Sequence, residues 1–124
     1  MALLEYNAEV RSRFAQPLHA GSLAPGEDVL SAAAGSVEQG TRFMLFARVA
    51  NGRVSELKHR VYGCPHCIAA ASLACEQLVG ANRERLATWN WREVEQLLQV
   101  PPEKRGRLLI LEDAVRALAK AWPA

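Results

Sequence analysis

The chain has no apolar run long enough to span a bilayer and no block of one charge sign. A membrane role is not expected, and nucleic-acid binding gets no support, because 15 Lys and Arg are interspersed with 13 Asp and Glu for a formal net charge of +2. Gly-, Ser- and Pro-rich tracts are absent, so residues 1–124 are expected to form a single domain long enough to bury a core. There is no Ser-His-Asp signature, no phosphate-cradling glycine loop and no paired-carboxylate site, which removes the common hydrolase and nucleotide-binding classes. The opening residues reach Glu5 without a basic region or an apolar run, so no secretory signal is expected. Cysteine is scarce and odd in number, at three, which excludes a complete disulfide framework and leads us to expect reduced thiols in the cytoplasm.

What is present concentrates between Tyr62 and Gly80, which hold all three cysteines. Here the pattern changes from extended to helical at Cys64. Before it, Phe43, Leu45, Ala47 and Val49 alternate as in a strand, and Asn51-Gly52 is the preferred pair for a type I′ turn into a second strand, Val54 to Tyr62. Asp28 to Ala34 offers a further extended segment. After Pro65, the residues Ile68, Ala71, Cys75, Leu78 and Val79 mark one side of a helix that Gly80 can close. Leu3, Tyr6, Val10 and Phe14 predict an N-terminal helix ending before Pro17, and Trp91 to Leu98 a helix stopped at Val100-Pro101-Pro102. A last helix from about Leu108 carries Leu111, Val115, Leu118 and Trp122 on one stripe, with Glu112-Asp113 read as its opening carboxylates. Strands grouped before helices predict an α+β fold, a small antiparallel sheet of about three strands packed against helices.

A thiol at a helix start faces unsatisfied N–H groups and the positive end of the macrodipole, and both favour thiolate. Cys64 is so placed. Cys67 lies one turn on, where it can pair with Cys64, share a metal with it, or simply be a small residue in a crowded helix start. Cys75 falls on the apolar stripe and is expected in the core. His19 and His59 are isolated, and His59, within Lys58-His59-Arg60, is expected on a solvated face. No second Cys or His pair exists to complete a structural zinc site.

With these residues laid out, the chain resembles the iron–sulfur cluster assembly scaffold family of the IscU and NifU N-terminal type. Tyr6, Val10, Pro17 and Gly21 match its first helix and loop. Tyr62-Gly63-Cys64, Ile68-Ala69, Ser72-Leu73, Glu76 and Gly80 match its central cysteine motif, while Pro101-Pro102, Lys104 and Glu112-Asp113-Ala114 match its C-terminal segment. The resemblance implies a scaffold or carrier rather than an enzyme with turnover, a cysteine desulfurase as partner, and a transient iron–sulfur cluster or iron, with zinc as a further candidate. It also implies an Hsp70-type chaperone contact through Val100, Pro101, Pro102 and Lys104.

The family's site uses three cysteines with an aspartate and a histidine, and here Cys64 alone matches. Gln39 stands where the first cysteine belongs, Thr41 where the aspartate does, and Gly106 and Arg107 where histidine and cysteine are expected. An amide or a guanidinium does not replace a thiolate on iron, so a conventional three-cysteine cluster is not expected. The resemblance places Arg107 near Cys64, where a cation favours the thiolate and makes Cys64 a sulfur acceptor, an iron ligand with Cys67, or both. Two alternatives stand beside this reading. One is a metal-free, scaffold-like regulator that binds a desulfurase or a scaffold. The other is a thiol–disulfide oxidoreductase of thioredoxin-like fold, since Cys-Pro-His-Cys at a helix start is also the dithiol sequence of DsbA.

Overall fold

The computed structural model describes residues 6–123. The elements run α1 (Ala8–Ala15), β1 (Val29–Ser36), β2 (Thr41–Ala50), β3 (Arg53–Tyr62), α2 (Pro65–Leu78), α3 (Arg83–Thr88), α4 (Arg92–Leu98), a short 3-10 turn (Pro102–Lys104) and α5 (Arg105–Ala121). The three strands form an antiparallel sheet in the order β1-β2-β3. Helix α5 packs on β1 and β2, and α2 packs on β3 with α1 and α4 against it. This is the expected α+β arrangement.

Local chemistry explains most element boundaries. Asn7 caps α1, its side-chain oxygen accepting the Val10 amide at 2.9 Å, and α1 stops two residues before Pro17. Tyr6 and Val10 are buried as their spacing predicts and Phe14 is half-buried, while Leu3 lies outside the described residues. Arg13, also on α1, is buried: it reaches Glu9 at 2.8 Å, Ser72 at 3.3 Å and Glu76 at 3.0 Å, fastening α1 to α2. At the hairpin, Asn51 and Gly52 take φ of 55° and 75°, the positive pair a type I′ turn requires.

Helix α2 is buried almost all round, from His66 and Cys67 through the Ala69–Cys75 run to Leu78. Its many alanines let α1, α4 and β3 approach closely, so the one-sided stripe expected for this helix is in fact a core helix. Val79, expected on the stripe, is instead the exposed C-cap residue, and Gly80 closes the helix as expected, with a φ of 90°.

The structure adds one helix that the sequence did not announce and corrects two expectations. Helix α3 has no wide apolar stripe to announce it; Asn82 caps it by accepting the Arg85 amide at 2.9 Å, and Leu86 anchors it in the core. Helix α5 begins at Arg105, so Glu112-Asp113 lies within it rather than opening it, and the Glu112 carboxylate accepts the Trp91 amide at 3.1 Å. His59 is only 3% exposed, its Nε2 lying 3.0 Å from the Leu18 carbonyl. The cause is a bulge: Arg48 pairs with Glu56 but Val49 with Val54, so Ser55 is extra and the alternation in β3 changes parity, turning Leu57 and His59 inward. The segment through His19 and Gly21 then covers the edge, with the His59 amide donating to His19 at 3.0 Å and the Gly21 amide to His59 at 2.9 Å.

Among the described residues no helix is long and apolar enough to cross a membrane.

Candidate functional site

Strand β3 ends at Tyr62, and Gly63 turns the chain into α2 with Cys64 as its N-cap residue. Gly63 is needed for its size: a Cβ there would lie 2.9 Å from Cys67 Cβ and 3.0 Å from Cys67 Sγ. The missing side chain lets Cys67 tuck under the turn, 1% exposed, with its Sγ 3.6 Å from that of the half-buried Cys64. Cysteines three apart at a helix start are brought together by the helix itself, and both are free thiols.

The C-terminal segment supplies charge. Arg107, in the first turn of α5, donates from Nη1 to Cys64 Sγ at 3.0 Å, and Lys104 Nζ lies 3.9 Å from the same sulfur. Lys104 also donates to His66 Nδ1 at 3.1 Å and sits 5.2 Å from the centre of the Tyr6 ring. Tyr6 meets the His66 ring edge-on, centroids 4.6 Å apart. Cys64, Cys67, His66, Tyr6, Lys104 and Arg107 thus form one cluster drawn from three parts of the chain.

The two thiols are driven apart in acidity. The Cys67 thiol and amide, then Lys104 and Arg107, bring the Cys64 pKa far below the ordinary thiol value, although partial burial opposes them. Cys67 moves the other way, because its proton is the one shared with Cys64 and because it is buried. One sulfur is therefore anionic and half-exposed, and the other is protonated and enclosed. Burial and the Lys104 cation lower the pKa of His66, in keeping with a neutral ring whose Nδ1 accepts from Lys104. Cys75, buried in α2 as expected, has its pKa pushed up to about 12 by burial and is inert.

The remaining residues singled out in the sequence are dispersed. Gln39 is exposed in the β1–β2 turn, its backbone amide donating to Ser36 Oγ at 3.2 Å. Thr41, the first residue of β2, is buried. Because Arg42 pairs with Tyr62, the Gln39 turn and the Cys64 turn share one end of the sheet. Gly106 is exposed beside Arg107. Val100 is buried and Lys104 is turned toward Cys64, which leaves Pro102 and Glu103 outermost in the diproline segment. Among the described residues no three of His, Cys, Asp and Glu are grouped so as to hold a metal ion, and beside Cys64 stand one further sulfur, two cations and the His66 ring, whose Nδ1 accepts from Lys104. Tyr6 and His66 were not expected to act together, and the sequence signal for His66 is its place inside Cys-Pro-His-Cys.

Comparison with known proteins agrees with this architecture. The chain is 29% identical over 121 residues to the iron–sulfur cluster assembly scaffold protein IscU of Azotobacter vinelandii, covering 96% of this chain and 94% of that one. It is 28% identical over 123 residues to IscU of Haemophilus influenzae, covering 98% of each. In fold it is similar to the protein assigned as the SUF-system iron–sulfur cluster assembly scaffold of Fervidobacterium islandicum AW-1, at a TM-score of 0.73 and 10% identity, covering 96% of this chain and 99% of the other. A nitrogen-fixing NifU-like protein (N-terminal) from Brucella abortus matches at a TM-score of 0.69 and 17% identity over 93% and 92% of the two chains. The fold is thus of scaffold type, and the thioredoxin-like expectation is set aside: the strand leading into Cys64 belongs to an all-antiparallel sheet. The model of the NifU-like N terminal domain matches residues 5–124, and the chain belongs to that family.

Proposed function

We propose that this protein is an iron–sulfur cluster assembly protein of scaffold type in which Cys64 accepts sulfur from a cysteine desulfurase, acting as a carrier in a reducing cytoplasm. The observation that carries the reading is the 3.0 Å hydrogen bond from Arg107 to the Cys64 sulfur. The Cys67 thiol and amide do most to hold Cys64 as a thiolate, Lys104 and this guanidinium add to them, and Arg107 stands where the family resemblance calls for a third ligand. The Cys64 thiolate attacks the outer sulfur of the donor's persulfide; the bond between that sulfur and the donor cysteine breaks, and the donor leaves as its thiolate. The new persulfide is anionic after losing its proton, and Lys104 and Arg107 supply the countercharge.

Iron is cargo in this scheme. Cys64 and Cys67 are the two sulfurs able to meet it, and Arg107 and Gln39 offer no thiolate to complete a set. A zinc ion faces the same shortage, with His66 already accepting from Lys104. The exposed Pro102-Glu103 corner is the part of the diproline segment open to a chaperone.

The test is anaerobic incubation of wild type and Cys64→Ala with a cysteine desulfurase, cysteine and ferrous iron, reading intact mass, visible absorption and metal content. The expected result is a sulfur adduct in wild type that is missing in Cys64→Ala. Desulfurase binding without any adduct would replace this reading by that of a metal-free regulator.

A further inference from the structure

The buried thiol of Cys67 is left without a task by sulfur acceptance alone. It is 1% exposed, so a bulky partner or a reductant does not reach it directly, and its sulfur lies 3.6 Å from Cys64 Sγ, close enough for a small rotation to bring the two into bonding distance. Gly63 keeps that space open, since a Cβ there would press on Cys67 Sγ at 3.0 Å. Two cations, Lys104 and Arg107, lie on the Cys64 side, where a departing anion would need them.

We infer that Cys67 is an internal reductant that releases the sulfur carried on Cys64 as sulfide. The inference rests on Cys64 being a sulfur acceptor. The Cys67 sulfur attacks the inner sulfur, Cys64 Sγ, of the persulfide. The Cys64–Cys67 disulfide bond forms and the bond from Cys64 Sγ to the outer sulfur breaks, its electron pair leaving with the outer sulfur. The Cys67 proton ends on that sulfur, so Cys64–S–S⁻ and Cys67–SH become the disulfide and HS⁻ with atoms and charge balanced. The two cysteine sulfurs are oxidised by one electron each, and the carried sulfur is reduced by two to sulfide. No outside electron donor enters until the disulfide has formed; a small dithiol then resets the pair through the half-exposed Cys64.

The chemistry also gives the unequal acidities a purpose. While Cys64 is free, Cys67 holds a proton and does not compete for the incoming sulfur. Once Cys64 carries sulfur, its Sγ no longer holds the charge that kept the Cys67 proton in place, and the attack becomes possible.

The test uses the full chain, reduced, freed of reductant and treated anaerobically with inorganic polysulfide, then desalted. Intact mass and released sulfide are followed for wild type, Cys67→Ser and Cys67→Ala, with circular dichroism to compare folding. Wild type should lose its added sulfur, release about one equivalent of sulfide and end two hydrogens lighter than the reduced chain. Both variants should keep the added sulfur, with sulfide release slower by at least about tenfold. Equal persistence of the persulfide in wild type and a folded variant, or equally fast release from both, would overturn the inference. A second arm loads the chain with a cysteine desulfurase. Sulfide from polysulfide-loaded protein with no loading by the desulfurase would leave the inference standing and remove the proposed donor; loading by the desulfurase with a lasting persulfide in wild type would do the reverse.

Discussion

Arg107 Nη1 donates to Cys64 Sγ at 3.0 Å, joining residues 43 apart in the chain and placing a permanent cation on a half-buried thiol. Replacing Arg107 by Gln removes the charge and keeps a donor. The pH midpoint of Cys64 alkylation by iodoacetamide should then rise by about one unit, the size of a lost charge-assisted hydrogen bond. An unchanged midpoint would mean that Cys67 and Lys104 alone set the acidity of Cys64.

The resemblance to the scaffold family assigns the missing cysteines to Gln39 and Arg107, the histidine to Gly106 and the aspartate to Thr41. The variant Gln39→Cys, Gly106→His, Arg107→Cys should gain a visible iron–sulfur absorption on anaerobic reconstitution, because it presents three thiolates where wild type presents the Cys64 and Cys67 pair. Wild type should stay far weaker under the same conditions. Equal absorption from both would show that Cys64 and Cys67 already suffice.

Gly63→Ala forces a methyl group to within 2.9 Å of Cys67 Cβ, a distance that real Cβ atoms do not hold. The strand-to-helix turn must shift, at a cost of about 1–3 kcal/mol in urea unfolding. The same variant should also slow closure of the Cys64–Cys67 disulfide under mild oxidation. Unchanged stability together with unchanged closure would contradict the close packing described.

His59 gives the fold an acid limb. Burial, chiefly, holds its pKa below the ordinary value, with His19 and Lys58 adding to the effect and the Leu18 carbonyl opposing it. Below the unfolded pKa of about 6.5 the unfolded chain therefore binds more protons than the folded one, and stability falls as pH drops from about 6.5. His66 is shifted in the same direction and contributes to the same limb. His59→Gln, which keeps a donor for the Leu18 carbonyl, should flatten this fall when melting temperature is followed between about pH 7 and 5. A slope identical to wild type would place the acid sensitivity elsewhere.

The fold was legible wherever one residue type forces one conformation. Asn51-Gly52 announced its turn because few other pairs tolerate two positive φ angles, and Phe43, Leu45 and Ala47 announced their face because a strand repeats every two residues. His59 was misread because it was taken with the charged run Lys58-His59-Arg60; Ser55 inserts an extra residue into β3, and the change of parity that turns His59 inward depends on pairing with β2. Helix α3 went unseen because a six-residue helix held by one cap and by Leu86 has too few turns for a periodic signal.

By itself the sequence determined the thiol pair. Pro65 and the helix after it fix Cys64 and Cys67 on one turn, so their meeting needs no distant partner. The cations beside that pair and the enclosure of Cys67 were decided only by tertiary structure. Arg107 and Lys104 reach Cys64 because α5 and the turn before it return to the start of α2, and Cys67 is enclosed because α2 is buried nearly all round. Charge is a property of surroundings, and for Cys64 the two cations come from a segment about forty residues away.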